Sequence, residues 1–465
     1  MSQWALAPTE TGVSVTVPPN RPTAASLRAR MVRGAFFEIG GYGTQQVLRL
    51  GSNLILTRLL FPAAFGLSTM VWVITSGLTL LSDVAVQPCV IQSKRGDDPD
   101  FLNTAFTIQA IRGLALAVLM AALAKLIARF YREPQLEGLL YLGSLQLLFA
   151  GLHSTSVFTL RRRLSLGWVN ALEFVQTLFS ISVTLLSAWW HPSVWALVGG
   201  GVSGTVFFSI TSHFLPVGYK NRFRWDRTAA DEIRRFGRWV LGSSAATFLG
   251  GQGDRILLGR LLGASWLGIY SVATNLSEAL SSVVTRVVNG VMYPVLSQAG
   301  RESGADISHF YYRLRLRLDL LSMISTGLLA GMGGWVIQTL WDKRYADAGW
   351  IIQIICVRLA ISFVVAPNET CLFALGHTRY GFQRSVARLL ATFVFVPCGW
   401  YLGGVKGVVW GTVAAEVPTI LAVWPQSHRL GILRVGRECV SLGLFVAAFG
   451  LGHFVVPWLP TLHLR

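Results

Sequence analysis

The chain has 465 residues, of which 52% are hydrophobic and only 13% charged, with a net charge of +18. A soluble domain carries about 25% charged residues, so this composition cannot clothe a water-facing surface and leaves no room for a soluble enzyme domain. The Lys and Arg excess lies in short segments between apolar runs, the bias that orients helices in a bilayer rather than a footprint for nucleic acid.

Residues 1–30 are polar, with Pro18, Pro19 and Pro22, and they lead into Arg28, Arg30 and Arg33. There is no apolar core before a small-residue cleavage site, so this segment reads as a disordered cytoplasmic tail and not a signal peptide. Apolar runs then follow without strict alternation, which predicts helices. About 20 apolar residues span the hydrocarbon core. The expected spans are 34–60, 64–91, 102–127, 138–160, 165–189, 193–215, 237–262, 266–296, 316–340, 347–375, 383–402, 405–425 and 438–459. The fold class is an all-α polytopic membrane bundle of about 12–14 helices, arranged as two parallel six-helix lobes around a central cavity. The N-lobe covers 31–215, a cytoplasmic linker 216–236, the C-lobe 237–425, and a basic loop with an extra helix 426–465.

Loop charges fix the topology. Lys94/Arg95, Arg161–Arg163, Lys220–Arg235, Arg301–Arg317, Arg379/Arg384 and Arg429–Arg437 share a side with the N-terminal tail. The alternate segments, such as Phe61-Pro62, His191-Pro192 and Gly263-Ala264, are nearly bare. By the positive-inside rule the N-terminus is cytoplasmic, and thirteen crossings put the C-terminus outside.

Spans 1 and 7 end alike. Arg58-Leu59-Leu60 precedes Gly66 by the same spacing as Arg260-Leu261-Leu262 precedes Gly268, and both anchors are displaced by 202 residues. Six spans intervene, so the halves share one orientation. Parallel repeats of this kind are a transporter signature.

No Walker A motif occurs, and Gly250-Gly251-Gln252-Gly253 lies inside span 7, where it favours close packing. Uphill work would therefore draw on an ion gradient, the membrane potential or substrate supply. The five cysteines form no CxxC and the eight histidines no metal-ligand spacing. Charges at membrane depth are the functional pointers, because each is costly in hydrocarbon. They are Glu38, Arg49, Arg58, Asp83, Arg112 and Glu173 in the first half. In the second they are Asp254, Arg255, Glu278, Arg286, Arg358, Glu369 and Glu416. Snorkelling accounts for Arg58 and Arg260 at span ends, and helix packing for Glu416. The set as a whole implies a wet internal cavity. Gly40-Gly41-Tyr42-Gly43, Pro88, Pro367 and Pro397 fall inside spans and are candidate bending points.

The run Asp254–Gly263 leading into Leu267–Ala273, the Arg58–Pro62 end before Phe65-Gly66-Leu67, and Tyr293-Pro294-Val295-Leu296-Ser297 resemble the polysaccharide-repeat-unit flippases. These are the polysaccharide transporter branch of the multidrug/oligosaccharidyl-lipid/polysaccharide exporter superfamily. The resemblance covers roughly residues 30–430; members usually have twelve or fourteen helices, so thirteen is a departure. It implies export of an undecaprenyl-pyrophosphate-linked oligosaccharide to the outer leaflet of a bacterial cytoplasmic (inner) membrane. It implies no catalysis and no cofactor beyond a coupling ion, proton or sodium. The partners it implies are the polyprenyl-pyrophosphate-linked glycan, membrane lipid, and a polymerase with other polysaccharide-assembly proteins. It also implies a cavity lined by helices 1, 2, 7 and 8. By position that nominates Arg49, Asp83, Asp254, Arg255, Glu278 and Arg286. Competing readings are a multidrug exporter or lipid II flippase of the same architecture and, from another class, a membrane-embedded glycan polymerase or ligase.

Overall fold

Proline, glycine and capping carboxylates set the helix ends. In the computed structural model, which describes residues 24–83, 85–217, 219–300, 307–377 and 379–458, the side chains of 24–39, 42, 238–243 and 307 lie outside the description. The N-lobe elements are α1 (Ala24–Leu59), α2 (Pro62–Leu81), α3 (Val86–Gln92), α4 (Pro99–Tyr131), α5 (Gln135–Gly151), α6 (Ser156–Arg162), α7 (Leu166–Trp190) and α8 (Val194–Ser212). The C-lobe holds α9 (Arg227–Val287), a π-helical turn Val288–Met292, α10 (Tyr293–Ala299), α11 (Ile307–Leu340), α12 (Ala348–Ala374), α13 (Arg379–Ala414) and α14 (Val417–Arg429). The chain continues into α15 (Val435–Val455). Pro62 and Pro99 occupy first turns, where a missing N–H costs nothing. Asp98 accepts from the Asp100 N–H at 3.1 Å, and Asp226 from the Thr228 N–H at 3.0 Å. Pro294 follows the π turn, as expected where a proline takes a donor out of the helical ladder.

Among the described residues, nine helices are long and apolar enough to cross a bilayer. Two of them double back. α9 turns at Gly263 (φ 77), and α13 turns at Gly403–Gly404, where Gly404 has φ 55. Both turns use the left-handed region that only glycine enters freely. Splitting these two adds two crossings, and α1 and the broken α5–α6 pair add two more, for thirteen. The all-helical bundle expected from the sequence is therefore the observed one.

The differences are local. α9 begins at Arg227, inside the segment expected as linker, because Asp226 caps it and Ala229 and Ile233 bury against Val86, Phe101 and Val157 of the N-lobe. α1 reaches back to Ala24, within the expected tail, whose residues 1–23 lie outside the described ones. It runs unbroken through Gly40–Gly43. Spans 2 and 4 are each interrupted, between Leu81 and Val86 and between Gly151 and Ser156. α12 and α13 continue through Pro367 and Pro397.

α15 lies along α11 through Gly327 and Gly331, where an added Cβ would meet the Phe445 and Phe449 carbonyls at 2.5 and 2.4 Å. Small residues four apart let two membrane helices touch by backbone. A buried charge cluster secures this pair: Arg315 contacts Glu438 and Asp319, and Ser441 donates to Asp319 at 2.5 Å.

Candidate functional site

The lobes meet along α2 and both legs of α9. Near the Gly263 turn the contact is backbone on backbone. A Cβ on Gly66 would lie 1.8 Å from the Ala264 carbonyl oxygen, and one on Gly268 would lie 1.8 Å from that of Pro62. Pro62 and Ala264 are separated by the same 202 residues as Gly66 and Gly268. The repeat seen in the sequence is thus a reciprocal contact, each half offering the other the same surface.

Each lobe also sends a loop across this seam. Arg344 donates to the Arg58 carbonyl at 2.8 Å and lies over the Phe61 ring at 4.7 Å, and the Tyr345 hydroxyl donates to the Leu60 carbonyl at 3.0 Å. From the N-lobe, Glu133 accepts from the Ala264 N–H at 3.4 Å, and Arg260 lies over Phe130 at 5.6 Å. Further along, the first leg of α9 stays against α2, where Gly77 packs on the ring of Phe248. On the second leg of α9, Leu267 to Thr274 are buried, while Glu278 and Thr285 are exposed, as is Asn289 in the π-helical turn that follows. On α1, residues 43–51 are exposed or half-buried. The seam is sealed by backbone contact at the Gly263 end, and beyond it the second leg of α9 and residues 43–51 of α1 are more exposed.

Three polar clusters occupy this frame. The first joins the two legs of α9 to α12 and to the seam. Asp254 accepts from the Tyr270 hydroxyl at 2.7 Å and from Arg358 at 2.8 Å. Arg255 pairs with Glu278, donates to Gln252 at 2.5 Å and lies over the ring of Trp72 on α2 at 5.3 Å. A buried guanidinium over an indole face gains from the ring quadrupole. Here it carries a C-lobe charge onto an N-lobe helix.

The second cluster surrounds a C-lobe cavity of about 960 Å³. Asp319, Glu369, Arg384 and Arg388 line it, with Ser362, Thr370 and Asn289. Arg384 contacts Glu369 and lies 3.3 Å from Glu416, which Arg388 also faces at 3.3 Å. The third is an N-lobe cavity of about 450 Å³, where Asp83 and Arg112 lie 3.8 Å apart.

Of the residues nominated from sequence, Asp254, Arg255 and Glu278 share one cluster. Asp83 sits apart in the N-lobe cavity. Arg49 is exposed on α1 and Arg286 half-buried on the second leg of α9. The Glu38 side chain lies outside the described residues. Arg384 and Arg315, counted as loop charges from sequence, lie inside the lobe, because α13 and α11 begin well before them. The signal was present: Arg384 with Arg388, and Arg315 with Asp319, stand four apart on one helix face.

Comparison with known proteins places this architecture. The lipopolysaccharide biosynthesis protein WzxC of Escherichia coli (strain K12) is 23% identical over 447 residues, 92% of this chain and 88% of that protein. The succinoglycan biosynthesis transport protein ExoT of Rhizobium meliloti (strain 1021) is 22% identical, covering 85% of this chain and 78% of that one. Among solved structures, the lipid II flippase MurJ in an inward closed conformation matches with TM-score 0.72 at 12% identity, covering 92% of each chain. An inward-facing multidrug resistance MATE family transporter of the MOP superfamily matches with TM-score 0.65 at 13% identity, covering 83% of this chain and 94% of that one. These structural likenesses carry the fold. The family model described as polysaccharide biosynthesis protein matches residues 55–350, and with most of both lobes inside that match, the chain belongs to this family of polytopic membrane proteins.

Proposed function

We propose that this protein is a flippase that moves a polyprenyl-pyrophosphate-linked oligosaccharide from the inner to the outer leaflet of a bacterial cytoplasmic membrane. One observation carries the reading: two repeats that touch backbone to backbone at one end of their seam, with the second leg of α9 and the middle of α1 left exposed beyond it. A glycan with a pyrophosphate cannot cross hydrocarbon unaided, because each stripped hydroxyl and charge is costly. A wet cleft between the lobes shelters the head group while the polyprenyl tail stays in lipid. Arg49 and Arg286 are the cleft cations of this reading, since a guanidinium fork suits phosphate oxygens. Arg255 holds Glu278 and Trp72 in place at the seam.

In this reading the N-terminal side is cytoplasmic and the Gly66–Ala264 contact is the outer gate. Rocking the lobes would part that gate and close the other end. The relatives' names support the substrate class: one is a lipopolysaccharide biosynthesis protein, another a succinoglycan biosynthesis transport protein. A polymerase and further assembly proteins would receive the exported unit.

The test is genetic. Deletion should abolish surface polysaccharide and leave lipid-linked units inside the cell. Arg49→Ala or Arg286→Ala at normal membrane abundance should do the same. Intact surface glycan with raised sensitivity to cationic dyes would instead mark a multidrug exporter.

A further inference from the structure

We propose that the linker between α8 and α9 is a binding site for the phosphate headgroup of an acidic phospholipid, taken between Lys220 and Arg222. The site is separate from the cleft of the flippase reading and borrows from it only the side of the membrane, the cytoplasmic one. Residues 219–226 contain no helical turn, yet they are stitched to α4 through their backbone. The Arg222 N–H donates to Asn103 Oδ1 at 2.8 Å, the Arg224 N–H to Thr107 Oγ1 at 3.0 Å, and the Asp226 N–H to Thr104 Oγ1 at 3.0 Å. With its donors taken up by one helix, the linker is a strap laid on the N-lobe and not a loose tether.

Fixing the backbone sorts the side chains. The Tyr219 hydroxyl lies 2.9 Å from that of Thr155, and Asn221 donates to Thr155 at 2.6 Å and accepts from Ser154 at 2.5 Å. Phe223 meets the Phe106 ring at 5.2 Å. Lys220, Arg222 and Arg224 alternate with these three and are exposed. An extended chain sets alternate side chains on one face, roughly 7 Å apart. The three cations and Phe223 share a pocket of about 470 Å³ with Pro99, Asp100 and Asn103. Among the described residues that line it, Asp100 is the one carboxylate, and Arg224 pairs with it at 2.6 Å. Lys220 and Arg222 are left with no carboxylate partner among the described residues.

Two unpaired cations in one pocket favour an anion, and the neighbouring rings say of what kind. Phe214 is 81% exposed, Phe223 70% and Trp225 55%, so the linker carries three apolar rings beside its charges. In water that apolar area is unfavourable. At a membrane interface the rings sit at headgroup level, and the anionic leaflet attracts the cations. A guanidinium fork with an ammonium beside it suits the oxygens of a phosphodiester. Arg222 stands four residues ahead of Asp226, which caps α9 and accepts from Arg95 at 2.8 Å. An occupied site therefore ties the N-lobe to the leaflet next to the start of the helix that carries the seam.

The test is lipid binding to the full chain in detergent, read by native mass spectrometry. The wild-type protein should bind phosphatidylglycerol in preference to phosphatidylcholine. Lys220→Gln with Arg222→Gln should weaken phosphatidylglycerol binding roughly 30-fold, about 1 kcal/mol for each cation near a charged surface, and leave phosphatidylcholine binding unchanged. Both positions are exposed, and an unchanged thermal midpoint would confirm that the variant is folded. Arg222→Lys, which keeps the charge, should keep most of the affinity. Arg234→Gln with Arg235→Gln removes equal charge from exposed positions on α9 and should leave phosphatidylglycerol binding as it was. An equal loss in that control would mean diffuse attraction and overturn the site. Displacement of the lipid by inorganic phosphate would mark a site for a free anion, and displacement by poly-glutamate a contact for an acidic protein; either result overturns the proposal. The measurement uses no glycan, so a failure of the flippase reading in cells would leave it standing.

Discussion

Asp254 and Arg255 are neighbours in sequence and answer to different partners. Asp254 is enclosed with Tyr270 and Arg358 inside the C-lobe, whereas Arg255 reaches Trp72 of the other lobe. Removing one member of a buried pair strands the other charge and costs about 3–5 kcal/mol. Asp254→Asn should therefore lower the thermal midpoint in detergent sharply, and Asp254→Asn with Arg358→Met should recover most of the loss. Equal destabilisation in single and double variants would show that the pair is not what the site needs. The sequence made Asp254, Arg255 and Glu278 legible because charge at mid-span is conspicuous. It hid Arg384 and Arg388, because a charge near a span end looks like a loop charge until the helix start is known. The pairing of Arg358 with Asp254 joins positions 104 apart and has no local signature.

Among the elements, the turn of α9 and the start of α2 behave as one device. Gly66→Val or Gly268→Val inserts side-chain atoms where even a Cβ would overlap a carbonyl oxygen. Each variant should reach the membrane and lose export, and a cysteine at Phe61 should become more reactive to an impermeant maleimide. Equal reactivity would place the gate elsewhere. A second element-level contact is the cap of α9. Hydrogen bonds from Arg95 first, and then from Thr228, hold the Asp226 carboxyl down at about 2 from an ordinary 3.8. A lowered carboxylate stabilises above its unfolded value and loses that contribution as pH falls through the folded one. The start of α9 should thus loosen between about pH 4 and pH 2, read as the fluorescence difference between the protein and its Trp225→Phe variant. Arg95→Ala should move that transition toward higher pH. The sequence announced the helices themselves through apolar runs, yet it made spans 2 and 4 continuous. The breaks depend on Asp83 capping Ala85 and on packing from other helices, neither of which hydropathy registers.

At the scale of the whole molecule, the thirteen crossings counted among the described residues make two matched lobes and one helix outside the repeat. That helix is not an appendage. Arg315, 1% exposed, is buried on the expectation that Glu438 of α15 will be there. Removing the chain after Leu430 should destabilise the C-lobe, and Arg315→Met in the truncated chain should restore part of the lost abundance. No rescue would mean that α15 acts through its glycine contacts with α11 alone. The two-lobe plan was legible because its repeat sits at the end of a helix, with Arg-Leu-Leu and a glycine in register. What the repeat was for could not be read from one strand of text: Pro62 is unremarkable until Gly268 is seen against it.

The seal between those glycines and carbonyls has an electrical consequence. A cleft wide enough for a glycan is wide enough for a file of water, and a file of water conducts protons. Main-chain contact leaves no gap for solvent, so the cell can keep a large cleft in its membrane without short-circuiting it. A valine at Gly268 should therefore do more than stop export: it should depolarise the membrane, measurable as faster collapse of an imposed pH gradient in proteoliposomes.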